Sequence, residues 1–290
     1  MQAMAAKTVK SLHPALRDDI ADLVTRRPVP GPGLDQVDPF LFLNHHGPQT
    51  YGPGNKGLPF GPHPHRGFET VTFILDGELA NQDSAGHESV IRKGGVQWMT
   101  AGSGLVHAEV SPEAFKRDGG PMEILQLWVN LPGRLKMTRP RYQGVQAGEI
   151  PSVTADQGRA TVNLIAGSWG GRTGPISSLT GVFMSTIALK AGGKVGFGSL
   201  AGRSVCLYVV SGEVTVNGVA ATGMNLVDLD LEGDTLEITA SGDTVLLFGH
   251  GQPIGEPVVA HGPFVMNTHQ EINEAIRDYQ AGLFDAVSAT

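Results

Sequence analysis

The sequence predicts an all-β protein built from two similar barrels in tandem, with a short helix near the C-terminus. Three observations lead there. The 290 residues include 40 glycines and 19 prolines while only 17% are charged, a balance that suits short strands and tight turns better than a helical bundle. Apolar or alternating runs recur along the chain, with turn signals such as LDGEL, VSGEV and VNGV between them, as hairpins require. The two halves also echo each other: FILDGEL at 73–79 and YVVSGEV at 208–214 share an apolar run, a glycine, a glutamate and a further apolar residue.

Strands of the first barrel are expected to include Thr70–Leu75, Val96–Thr100 and Ile124–Val129. Those of the second include Val182–Leu189, Val205–Val210, Glu213–Val216, Met224–Leu229, Thr235–Ile238 and Thr244–Phe248. Between them NLPGRLKMTRPRYQGV (130–145), rich in proline, glycine and basic residues, reads as a linker. The expected division is therefore 1–135 and 136–290. One strong helical pattern comes late. In HQEINEAIRDYQAGLF, Ile272, Ala275, Ile276 and Tyr279 fall at helical spacing, and Gly282 is the stop.

Charge and cysteine content narrow the function. The net charge is -7 with 21 lysines and arginines and no basic run, which argues against direct binding to nucleic acid, since phosphates are neutralised by clustered cations. The single cysteine, Cys206, excludes an internal disulfide framework and a cysteine-rich zinc site; within VCLYVV it reads as an inert core thiol. No segment approaches the ~20 apolar residues that cross a bilayer. The opening MQAMAAKTVKSLHPALRDD has no apolar h-region, so a cytoplasmic location is expected.

The chemistry is carried by HPHRGFETVTFILDG at 63–77. Side chains at i and i+2 of a strand share a face. Continued from His63, that face holds His65, Gly67, Glu69, Val71, Phe73 and Leu75, so two imidazoles and then apolar residues are expected to point into the barrel. Buried imidazoles need partners. They appear in WMTAGSGLVHAEV (98–110), where His107 and Glu109 form a second i, i+2 pair just after Gly102 and Gly104. On neighbouring strands, His63, His65, His107 and Glu109 would converge as three imidazoles and one carboxylate. Such a set suits iron, and also zinc, nickel, copper, manganese or cobalt; on a six-coordinate metal it leaves two positions open. Glu69 is expected to orient an imidazole rather than to ligate. His45 and His46 are adjacent and cannot both ligate from an extended chain. His87 lies in a polar turn, while His13, His250, His261 and His269 read as structural. The second barrel carries neither HxH nor HxE.

At these residues the sequence resembles the cupins and, more narrowly, the pirin family. GLPFGPHPHRGFE from Gly57 follows the first cupin motif, with the closing glycine, Gly77, one residue late, and GSGLVH matches the second. HPHRGFETVT, QWMTAGSGLVHAE, EPVVAHGPFVMNT, DPFLFLN and LPGRLKMTRPRYQ are each similar to pirin segments. NHHG at 44–47 departs from the acidic stretch expected of many pirins, a difference expected to reshape the pocket entrance. The resemblance covers residues 30 to 284. It implies two cupin (double-stranded β-helix, jelly-roll) barrels. It also implies Fe(II) in the N-terminal one, held by the same four residues, and a terminal helix packed outside.

The activity that the resemblance implies is metal-dependent flavonol cleavage of the quercetin 2,3-dioxygenase type. Glu109 would act as base, with a flavonol-like molecule and dioxygen as substrates and Val71, Phe73, Leu75 and Trp98 as possible water-excluding walls. Two rivals use the same ligands. One is an iron-binding, redox-responsive regulatory protein that engages a protein partner without turnover. The other is a cupin isomerase or similar small-molecule enzyme.

Overall fold

The computed structural model describes residues 5–83 and 88–284 and divides into two compact units. One comprises Arg17–Arg26, Phe42–Gly148 and Ile254–Thr290; the other comprises Met1–Leu16, Arg27–Leu41 and Glu149–Pro253. The terminal helix therefore groups with the first barrel rather than with the 136–290 half. No helix among the described residues is long and apolar enough to cross a membrane.

The first unit is built on β1 (Phe40–Tyr51), β2 (Phe60–His65), β3 (Phe68–Asp76), β4 (Glu78–Asp83), β5 (Glu88–Arg92), β6 (Val96–Thr100), β7 (Leu105–Val110), β8 (Gly120–Asn130) and β9 (Arg141–Val145). A large sheet contains the order β9-β6-β3-β8-β1, and a smaller one runs β2-β7-β4-β5. β3 reads FETVTFILD, aromatic and β-branched nearly throughout, which suits the buried centre of a sheet. The 130–145 stretch, expected as a linker, instead belongs to this unit. It forms a short 3-10 turn at Gly133–Leu135, and then β9, which pairs Arg141–Val145 with Val96–Thr100. Lys136 between them is buried, and its ammonium donates to Gly67 O at 2.9 Å, Asn130 Oδ1 at 2.7 Å and Val265 O at 3.0 Å.

The expected single strand from His63 to Leu75 is in fact two. Arg66 and Gly67 separate β2 from β3, and Gly67 adopts φ +91°, a conformation that glycine alone takes readily. A Cβ there would also lie 2.0 Å from Val265 O. The break flips the face. Thr72 on β3 hydrogen-bonds Glu109 on β7 at 2.9 Å, so even-numbered β3 residues face the smaller sheet. Val71 and Phe73, with Trp98 directly opposite Val71, lie on the other face with odd-numbered Leu75. They do not wall the histidine side, contrary to the expectation from uninterrupted alternation.

Helix α1 (Glu113–Asp118) was not anticipated; α2 spans His269–Gln280. Thr268 and Glu271 form a capping box at the start of α2. Ile272 and Ala275 are buried with Phe264 and Met266, and Ile276 packs at the edge, as the helical spacing required. Tyr279 stays 40% exposed.

The second unit repeats the pattern. Its large sheet runs Val9–Pro14, Asn225–Leu229, Ser204–Ser211, Thr244–Gly251, Phe183–Leu189, Ala160–Ala166 and Ser152–Ala155, and its smaller one Lys194–Phe197, Leu236–Ala240, Glu213–Val216 and Val219–Thr222. The strands at 68–76 and 204–211 hold the same place in their sheets, which explains the echo between FILDGEL and YVVSGEV. Its core includes Leu164, Val209, Leu246 and Phe248, all fully buried. Cys206 is buried too, and burial pushes its thiol up to about 12, as an inert core group requires.

Candidate metal centre

β7 lies between β2 and β4 in the smaller sheet, and its register places His107 directly opposite His63 and Leu105 opposite His65. His63 and His65 already share a face by alternation. The pairing therefore gathers three imidazoles, and one ring nitrogen from each lies within 4.8 Å of those of the other two. Ring centroids are 4.4 Å apart for His63 and His107, 4.8 Å for His63 and His65, and 5.3 Å for His65 and His107.

The opposite edge of each ring is held by an oxygen. His63 Nδ1 bonds Gly61 O at 2.8 Å, His65 Nδ1 bonds Pro263 O at 3.3 Å, and His107 Nδ1 bonds Asn81 Oδ1 at 3.1 Å. Oxygen acceptors require Nδ1–H, which leaves each Nε2 as a bare lone pair. His107 Nε2 is buried with no hydrogen-bond partner. An orphaned acceptor of that kind costs about 1–3 kcal/mol unless a cation takes its lone pair. Burial, with neighbouring imidazoles adding to it, holds His65 down to about 3 and His107 well below the usual histidine range. Both rings are neutral at physiological pH, the form that ligates. The residues present thus fit a divalent transition metal.

Glu109 follows His107 across a bulge, opposite Phe60 instead of the next residue in register. It is not within the three-histidine cluster as tightly as the imidazoles are to one another. Its carboxylate accepts from Thr72 Oγ1 at 2.9 Å, from Gln126 Nε2 at 2.6 Å, and from Gln97 Nε2. These donors come from adjacent strands of the large sheet: Thr72 lies opposite Gln97 on one side and Gln126 on the other. Burial raises the Glu109 pKa, while the electrostatic influence of neighbouring His63 and the three donors oppose that rise. Thr72, Gln97 and Gln126 were missed from the sequence. The signal was available only after the break at Gly67 had set the parity of β3.

An aromatic wall backs the histidines. His65 packs edge-on against Phe68 at 5.1 Å and Trp128 at 5.6 Å, and Trp128 stacks on Phe42 at 4.6 Å. Glu69 is on the opposite face, buried, with a raised pKa from burial and an acceptor bond from Thr100 Oγ1 at 2.7 Å. It orients no imidazole, contrary to expectation. His45 pairs with Glu123 at 2.9 Å and His46 with Thr25 at 2.8 Å, so the adjacent pair does diverge. His87 lies outside the described residues.

Two family models match the chain: Pirin over residues 22–129 and the Pirin C-terminal cupin domain over residues 184–285. A pirin-like protein of Caulobacter vibrioides is 42% identical over 87% of this chain and 90% of its own length. Pirin of Rattus norvegicus is 36% identical over 88% and 85%. A crystal structure of quercetin 2,3-dioxygenase from Acinetobacter baumannii superposes with a TM-score of 0.92 at 35% identity, covering 98% of this chain and all of that one.

Proposed function

The chain belongs to the pirin family of tandem cupins, and from that premise we propose that it is a metal-dependent dioxygenase of the quercetin 2,3-dioxygenase type. His63, His65, His107 and Glu109 would hold a divalent metal, Fe(II) first among the candidates, with Ni, Co, Mn, Cu and Zn compatible with the same donors. The substrates would be a flavonol-like phenol and dioxygen, with ring opening and loss of carbon monoxide. The observation that carries this reading is the convergence of three ring nitrogens within 4.8 Å, each backed by an Nδ1 bond to oxygen.

When bound, the metal supplies Lewis acidity to a substrate oxygen. The remaining roles fall to side chains. Glu109 takes the proton of the flavonol hydroxyl at a carboxylate oxygen, and the elevation of its pKa by burial strengthens it as a base. Thr72, Gln97 and Gln126 keep that carboxylate aimed. Phe42, Phe68 and Trp128 exclude water from the histidine side. The Acinetobacter baumannii protein that carries the quercetin 2,3-dioxygenase name supports the substrate class.

The test is loss of quercetin's visible absorbance with matching oxygen uptake by metal-loaded protein. His107→Ala should abolish both while the circular dichroism spectrum is retained. Unchanged absorbance with every one of the six metals would reject the dioxygenase reading and leave a non-turnover role for the same centre.

A further inference from the structure

Among the described residues the second barrel shows no cluster of three or more metal-ligating side chains, yet it has a cavity of about 380 Å³ bordered by Trp169, Phe183, Phe197, Ser199, Arg203 and His250. That volume falls within the range of small-ligand sites, roughly 300–1,000 Å³. Its place in the fold matches the histidine site. Phe197 ends the strand that holds, in the second smaller sheet, the position β2 holds in the first. His250 lies on Thr244–Gly251, the counterpart of β8, which carries Trp128. His250 stacks on Phe183 at 4.9 Å and 8°, much as Trp128 stacks on Phe42.

Arg203 is the unusual member. Its Nε donates to His250 Nδ1 at 2.7 Å, and its Nη2 donates to Gly181 O at 3.0 Å and His250 O at 3.4 Å. It forms no ion pair among the described residues, and burial alone depresses its pKa. A half-buried guanidinium without a counter-charge is costly to maintain. Because His250 Nδ1 accepts from Arg203, the neutral ring, which borders the cavity, carries its proton on Nε2. The His250 pKa, lowered to about 3 by burial and by Arg203, keeps the ring in that neutral form. Trp169 and Phe197, with centroids 5.5 Å apart, and Phe183, 6.2 Å from Phe197, supply flat apolar walls.

We propose that this cavity is a second binding site, for a small planar aromatic carboxylate. The ring stacks among Trp169, Phe183 and Phe197, and the carboxylate pairs with Arg203. With Nε and Nη2 held by protein acceptors, Arg203 presents its Nη1 donors and its charge to one carboxylate, whereas a phosphate would call for more cationic donors than the cavity offers. The proposal does not depend on the activity of the first barrel.

Cinnamate, cinnamamide and inorganic phosphate serve as probes on the full chain, read by tryptophan fluorescence and by calorimetry. Cinnamate should quench saturably, and Trp169→Phe should remove the quench. The uncharged amide and phosphate should each bind at least about tenfold more weakly. Arg203→Met should weaken cinnamate by about tenfold or more, with metal content unchanged. Binding should persist after chelation and in His107→Ala, which separates this site from the first. The proposal is overturned by no binding at about 10 mM cinnamate, by equal affinity for cinnamamide, or by loss of binding on chelation. Should Arg203→Met fail to fold, the acid-against-amide comparison on the unmodified protein decides alone.

Discussion

His107 stands directly across from His63 in the antiparallel pairing of β7 with β2, their rings 4.4 Å apart. A backbone register thus sets the distance between two candidate ligands from different strands, and His65 joins them by alternation alone. Anything that disturbs that pairing should be read first in metal affinity.

Asn81 tests the outer support. Its Oδ1 accepts from His107 Nδ1 and so selects the tautomer that leaves Nε2 free. Asn81→Leu should lower metal affinity by about 10–100-fold, measured by competition against a chromogenic chelator. An unchanged affinity would mean that packing alone orients the ring.

Gln126 tests the carboxylate. It is one of three donors that oppose the effect of burial on Glu109. Gln126→Leu should raise the Glu109 pKa further, followed by carbon-13 NMR of labelled glutamate carboxyls. The loss of a donor to a buried charged group should also cost about 1–3 kcal/mol of stability. A midpoint that falls or stays fixed would contradict the role assigned to Gln126.

The buried histidines predict how metal-free protein responds to acid. His65 and His107 have folded pKa values depressed below the unfolded value near 6.5. Below that pH the unfolded chain binds protons that the folded chain refuses, so stability is retained above pH ~6.5. It falls as the pH drops toward about 3, the folded value of His65. Urea titrations of chelated protein should lose on the order of 1–3 kcal/mol per pH unit between about pH 6 and 4. In His107→Gln the slope should be shallower. A slope independent of that substitution would show that other groups govern the acid limb.

Lys136 holds three acceptors from different parts of the first unit. Lys136→Met keeps the apolar stem but removes the ammonium from Gly67 O and Val265 O, and leaves Asn130 Oδ1 only its bond from Leu131 N. It should cost about 3 kcal/mol or more, seen as a lower thermal midpoint. Equal stability would indicate that water replaces the ammonium.

The legible part of the site was local or periodic. HxH and HxE declare their shared faces by spacing two apart, and α2 is declared by the helical spacing of Ile272, Ala275 and Ile276. Strand pairing then did the rest for His63, His65 and His107. What stayed hidden depended on events outside any repeat. The face of β3 was misread because one glycine, held against Val265 O from a segment almost 200 residues away, interrupts the alternation. Glu69 consequently exchanged roles with Thr72. The 130–145 stretch looked like a linker because its glycines and prolines dominate its composition, whereas its buried Lys136 is defined by distant carbonyls. Arg203 and His250 gave no signal because neither belongs to a spaced pair.

Gly67 also carries a consequence for how this chain can change. The two-residue joint between β2 and β3 works as an offset between two combs, one bearing imidazoles and the other the threonine that steadies Glu109. Substitutions along either comb alter one tooth at a time. Lengthening or shortening the joint by a single residue would shift a whole comb, turning Thr72 away and presenting Glu69 to the histidines. Insertions and deletions at 66–67 should therefore be tolerated far less than changes of side chain at neighbouring Arg66.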